Sequence, residues 1–299
     1  MVDNKKLVIN LAPTGMIPTK EMTEHVPVAI NEIVENVLEA YEIGITMVHI
    51  HARDDLTGKP TYKKNVYGRI IEGIRSYAQE LIICVSTSGR DLKQFEKRAE
   101  PLFLKGNLKP DMGSLTLSSL NFNKVASVND PEIIMQLAMT MRDREILPEM
   151  EAFDTGMVNF AKYLNRKGII QPPHYFNLLL GNIACAQADL LHAGIMVRDL
   201  PENSHWCMAG IGDSQLSMNA IAIATGGGVR VGLEDNIWYD LERTKLATNA
   251  DLVKRIHYFA NANEREFMTP SECRKKLGLR AGGSDGYGTK PIHKLEETK

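Results

Sequence analysis

The stretch Thr46-Met47-Val48-His49-Ile50-His51 reads as a short buried β-strand that ends in two histidines. Gly44, just upstream, stops the helix before it. Period-two alternation turns His49 and His51 to the same face of the strand. Similar strand-like runs occupy residues 7–11, 81–86, 112–117, 149–153, 175–180, 206–211 and 229–233. Most are separated by roughly 30–40 residues, enough for one strand–helix unit. Between them, 31–43 puts Ile33, Val37, Leu38 and Tyr41 on one helical face. Asp130-Pro131 opens a helix over 132–143, and another starts at Asn249 or Asp251.

Strands alternating with helices predict a parallel α/β architecture. Eight units, with no Gly-x-Gly-x-x-Gly after the first strand, favour a (β/α)8 TIM barrel over an open doubly wound sheet. The expected organisation is a single barrel domain over 1–280. A Gly-rich C-terminal tail over 281–299 follows, with a linker-like 281–288 and a charged end.

Composition limits the function. The chain has 299 residues, 43% of them hydrophobic and 24% charged, with 35 basic against 37 acidic side chains. That balance leaves no basic surplus for a phosphate backbone, so nucleic acid is not an expected partner. No apolar run approaches the ~18 residues of a membrane span, and the first residues lack a signal-peptide pattern. The four cysteines, Cys84, Cys185, Cys207 and Cys273, are far apart in sequence and read as buried thiols of a cytoplasmic protein.

In a barrel of this kind, reactive groups stand at the carboxyl ends of the strands. His49 and His51 end the second strand and can share a metal ion. The eighth strand runs into Arg230-Val231-Gly232-Leu233-Glu234-Asp235-Asn236. Glu234 completes three protein ligands and leaves an open coordination position, a catalytic rather than structural zinc pattern. Asp235 is left as a general base, and Arg230 as partner to Asp235 or to a substrate carboxylate. Other strand ends carry Thr14 with Gly15, Ser86, Ser114 with Thr116, and Glu151. Arg53 and Asp54 read either as supports of the histidines or as a local ion pair. His174 belongs to the opposite end of the barrel, and His257 to a helix surface.

The ordered blocks Val48–Arg53, Val85–Gly89, Pro148–Glu151, Ala209–Gly212 and Gly232–Asn236 resemble the β-keto acid cleavage enzyme family, over residues 7 to about 279. The resemblance implies a zinc-dependent TIM barrel that condenses a β-keto acid with acetyl-CoA, yielding acetoacetate and a new acyl-CoA. It implies His49, His51 and Glu234 as zinc ligands, with Asp235 as base and Arg230 as its partner. Ser86, Ser114 and Glu151 fall on substrate-contacting positions. It further implies a homotetramer.

Two departures stand out. Members acting on an amino-substituted keto acid carry a glutamate where Thr14-Gly15-Met16-Ile17 places Ile17. Isoleucine cannot neutralise a buried ammonium, so an uncharged or apolar substrate side chain is expected. The Gly/Pro-rich loop after the sixth strand is replaced by residues 180–187. Two alternatives also follow from the residues. One is an amidohydrolase-like zinc hydrolase, which would need histidines after the fifth and sixth strands. The other is a non-catalytic ligand-binding barrel.

Overall fold

The computed structural model describes residues 6–290. Eight parallel strands close a barrel: β1 (Ile9–Leu11), β2 (Met47–Ile50), β3 (Ile82–Val85), β4 (Met112–Thr116), β5 (Leu147–Ala152), β6 (His174–Leu180), β7 (Ser204–Gly210) and β8 (Gly228–Val231). β8 returns to β1, pairing Arg230 with Asn10, and Asn10 in turn pairs with Met47. The (β/α)8 expectation holds. Strand ends differ from the sequence reading by up to two residues, because terminal positions leave the ladder while keeping the alternation.

Alternation sorts the barrel into layers. Outward residues such as Ile9, Val48, Ile83 and Phe176 pack beneath the helices. Inward residues Val8, Met47, Ile82, Met112, Leu147, Tyr175 and Cys207 fill the amino end with an apolar cluster. The helix Pro270–Lys276 and its flanks plug that end through Met268, Cys273, Leu277 and Leu279. One step further along six of the strands the inward residues turn polar: Asn10, His49, Ser114, Glu149, Asn177 and Arg230, all buried.

The helices follow their local signals. Ile30–Ile43 buries Ile30, Ile33, Val37 and Ala40 and ends at Gly44, whose φ of 115° suits a residue without a Cβ. Asp130 caps Pro131–Asp143 by accepting from the Glu132 amide. The last long helix starts at Asn249, as expected, and Thr248 caps it by accepting from the Asp251 amide. Among the described residues, no helix is long and apolar enough to cross a membrane.

The glycine-rich stretch expected to begin a tail instead packs against the barrel base as far as Lys290. Leu279 bridges Thr289, and Tyr287 is buried under the Arg75 guanidinium, 3.2 Å from the ring centroid. Buried Asp111 organises this region. It accepts from Arg274 at 2.8 and 2.9 Å, from Arg75 at 3.2 Å, and from the amides of Ile83 and Gly288 at 3.1 Å. The charged residues 291–299 lie outside the described residues.

Removing that carboxylate leaves two buried guanidinium groups without counter-charge, a loss of about 3 kcal/mol or more. Asp111→Asn is therefore expected to lower the free energy of urea unfolding by that amount. A change within about 0.5 kcal/mol, as for an ordinary surface substitution, contradicts the assignment.

Candidate active site

β2 delivers His49 and His51 to the carboxyl end of the barrel, where both are buried. Their Nε2 atoms face each other at 3.1 Å. Glu234 joins them from the turn after β8, with Oε1 3.2 Å from His51 Nε2 and Oε2 4.0 Å from His49 Nε2. Two glycines seat that turn. Gly232 has a φ of 150°, and a Cβ there would lie 2.1 Å from the Ala12 carbonyl oxygen. At Gly15, with φ +64°, a Cβ would lie 2.5 Å from Glu234 Cγ. The first loop thus closes directly on the Glu234 side chain.

One ligand atom from each of these three residues falls within 4.8 Å of the others. Glu234 Oε2 is buried and has no hydrogen-bond partner. Two imidazole nitrogens and an unpaired carboxylate oxygen around one point suit a divalent cation. A fourth residue orients the set. Glu149 Oε1 lies 2.5 Å from His49 Nδ1, and its other oxygen accepts from Asn10 at 3.0 Å. A carboxylate on Nδ1 fixes the tautomer that leaves the Nε2 lone pair free for a metal. Burial opposes charge on His49, but Glu149 and Glu234 outweigh it and push the pKa up to about 9. For His51, burial prevails and the pKa falls.

Arg230 stands beside this cluster, buried on β8. It grips Asp235 with two bonds of 3.0 and 3.3 Å and reaches Glu234 at 2.9 Å and Glu151 at 3.3 Å. Glu149 lies 3.8 Å away. Burial raises the Asp235 pKa, the Arg230 charge lowers it, and Glu234 raises it further, leaving it above the ordinary aspartate value. Glu234 itself lies well below the glutamate range, because His51, Arg230 and His49 overcome the cost of its burial.

The structure therefore gathers His49, His51, Glu234, Arg230, Asp235 and Glu151 into one cluster, with Thr116 donating to Glu151 at 2.7 Å. Ser86 and Ser114 are buried near the strand ends, and each hydroxyl oxygen accepts a backbone amide, from Ser88 and Thr87 respectively. Thr14 is fully buried with an unpartnered hydroxyl. Ile17 is half exposed, on the loop that Arg53 fastens through the carbonyls of Gly15 and Pro18. Arg53 is thus a loop support, while Asp54 accepts from the amides of its own turn at Leu56 and Thr57. They do not pair with each other. His174 sits at the start of β6, away from the cluster, and burial pushes its pKa down to about 4. The surface expectation for His257 is corrected: it is half buried and stacks on Phe267 at 3.9 Å.

Sequence reasoning passed over Glu149 and Asn10. Glu149 stands two residues before Glu151, so the alternation that selected one carboxylate also turns the other inward. Asn10 is an amide inside an otherwise apolar strand, a signal of the same kind.

A profile of the beta-keto acid cleavage enzymes matches residues 6–279. The chain belongs to the β-keto acid cleavage enzyme family. A 3-keto-5-aminohexanoate cleavage enzyme from Fusobacterium nucleatum is 35% identical over 278 residues, covering 92% of this chain and 99% of that one. A 3-oxoadipate:acetyl-CoA acetyltransferase from Cupriavidus necator is 33% identical over 282 residues, covering 93% and 97%. Among solved structures, the complex of ObcA with oxaloacetate aligns with a TM-score of 0.76. That alignment covers 85% of this chain and 67% of the other at 18% identity, a likeness of fold. The hydrolase alternative finds no support in the strand ends, since Glu151 and Leu180 stand where it requires histidines.

Glu149→Gln keeps a hydrogen-bond acceptor at His49 Nδ1 and removes its charge. Zinc affinity measured by chelator competition is expected to fall about 10–100-fold. An unchanged affinity contradicts the orienting role.

Proposed function

We propose that this member of the family is a zinc-dependent acyltransferase. It exchanges the acyl group of a β-keto acid for the acetyl group of acetyl-CoA. The substrate R–CO–CH2–COO⁻ and acetyl-CoA become acetoacetate and R–CO–S–CoA, so the C2–C3 bond of the keto acid breaks and an equivalent bond forms. The observation that carries this reading is the cluster of His49, His51 and Glu234 beside an aspartate held bidentately by Arg230.

His49, His51 and Glu234 would hold the zinc, which supplies a Lewis acid for the oxygens of the keto acid; other divalent ions suit the same donors. Asp235 acts as the general base on the acidic methylene between ketone and carboxylate. Its raised pKa fits that task, since a carboxylate at the ordinary aspartate value is a weaker acceptor. Arg230 keeps Asp235 in place with two parallel bonds and limits how far burial can neutralise it. Ser86 and Ser114 keep their hydroxyl protons for a substrate carboxylate, because their oxygens already accept from backbone amides. Thr14, Thr116 and Glu151 line the remaining wall.

Ile17 sets the substrate class in this reading. It offers no charge to an ammonium group, so the side chain R is uncharged or apolar. Relatives acting as acetyl-CoA transferases support the co-substrate. Assembly as a homotetramer is part of the same proposal. Leu190, 71% exposed, lines a groove of about 1750 Å³ along the helix Leu190–Arg198, a surface suited to a second copy. The four free cysteines suit a cytoplasmic enzyme.

Purified protein given zinc and acetyl-CoA is expected to form acetoacetate faster from 3-oxohexanoate or 3-oxopentanoate than from 3-keto-5-aminohexanoate. The reverse order overturns the role of Ile17. Asp235→Asn is expected to lower kcat about 10²–10⁴-fold with zinc content unchanged. Activity within about twofold of wild type removes Asp235 as the base, a role worth far more.

A further inference from the structure

The charges around Arg230 do not balance. Glu149, Glu151, Glu234 and Asp235 place four carboxylates about one guanidinium. A divalent ion on His49, His51 and Glu234 would still leave one negative charge in excess before an anionic substrate arrives. Burying a further carboxylate there without another cation is costly. Arg230 is already engaged, since four contacts go to Asp235, Glu234 and Glu151 and its NH1 also faces Glu149 at 3.8 Å.

Two of the other arginines around the mouth are also committed. Arg53 donates to the carbonyls of Gly15, Pro18 and Gly58; Arg98 donates to the Thr87 carbonyl and Asn129, and its remaining nitrogen, without a hydrogen-bond partner, is buried against Gly89. Arg90 differs. Its half-buried side chain has no hydrogen-bond acceptor among the described residues, and its guanidinium stacks on Phe122 at 3.6 Å. Burial opposes its charge, while Glu234, Asp91, Glu151 and Asp235 draw on it, so the guanidinium shares the field of the cluster.

Arg90 is held in that position. The Ser88 hydroxyl accepts its amide at 3.3 Å, and Ser86 in turn accepts the Ser88 amide at 3.2 Å. Gly89 lies so close to Val128 and Asn129 that a Cβ would come within 2.6 Å of the Val128 carbonyl oxygen. Phe122 belongs to the short hairpin of Leu120–Asn121 and Ala126–Ser127, and Phe153 braces it edge-on at 5.9 Å. The hairpin inserted after β4 thereby gives the guanidinium a fixed aromatic platform and leaves its N–H edges open.

We propose that Arg90 is the carboxylate receptor of the site and binds a carboxylate of the keto acid. This rests on the β-keto acid reading above. The carboxylate is the one shared by all β-keto acids, since the side chain R carries no charge in that reading. The diphosphate of acetyl-CoA is separated from the reacting thioester by the whole pantetheine arm. It is therefore poorly matched to a cation on the loop directly after β3, where Ser86 begins the chain of contacts to Arg90.

The test uses the full-length zinc-loaded protein with Arg90→Gln and Arg90→Lys, assayed on 3-oxohexanoate and 3-oxoadipate. Isothermal titration of acetoacetate supplies a readout independent of turnover. Arg90→Gln is expected to raise the keto-acid KM on the order of tenfold or more and to weaken acetoacetate binding. The KM for acetyl-CoA should stay unchanged, as should zinc content and Tm. Arg90→Lys should recover part of the loss. Equal effects on both acids assign the shared carboxylate. An effect confined to 3-oxoadipate overturns the assignment to the shared carboxylate. Unchanged KM for both acids, or a rise confined to acetyl-CoA, overturns the proposal. If wild type turns over neither acid, the β-keto acid reading falls. Equal acetoacetate affinity in wild type and Arg90→Gln, or none in either, then overturns the role of Arg90 as well.

Discussion

The arrangement depends on one buried guanidinium. Arg230, itself buried, binds Asp235 and touches the partly buried Glu234 and Glu151, with Glu149 just beyond. Without it, several buried carboxylates would face one another, and they would take up protons rather than remain charged. With it, Glu234 stays ionised and Asp235 keeps a raised pKa. Its charge lowers both pKa values, but burial and Glu234 hold that of Asp235 up, so one acid is suited to holding a metal and the other to moving a proton.

The rest of the barrel makes this concentration of charge affordable. The amino end is filled by apolar side chains and plugged by Pro270–Lys276, so the strands are pinned where no chemistry takes place. Two closely packed glycines stand at the other end. Gly15 and Gly232 bring the loops after β1 and β8 into contact, and Glu234 lies between them. A second buried ion cluster around Asp111 ties the returning chain to the base, away from the site.

Much of this was legible in the sequence. Period-two alternation and the position at a strand end led to His49 and His51, and the charged turn after β8 led to Glu234, Asp235 and Arg230. What stayed hidden depended on contacts between distant segments. Glu149 obeys the same alternation as Glu151, but its value comes from His49, a hundred positions away. Arg90 looks like an ordinary loop arginine until Phe122 is placed beneath it. The plug helix did have a local signal, since Thr269 and Glu272 form a capping box around Pro270. That signal was obscured by the glycine-rich sequence after it, which reads as a linker although Tyr287 and Gly288 dock on Asp111 and Arg75.

The proposed reaction exchanges acyl groups between a keto acid and acetyl-CoA rather than hydrolysing either. Isotope tracing tests this most directly. With acetyl-CoA labelled by ¹³C in its acetyl group and unlabelled 3-oxohexanoate, the label should appear in the methyl ketone half of acetoacetate. The butyryl-CoA formed alongside should be unlabelled. Labelled free acetate with no labelled acetoacetate would contradict the account.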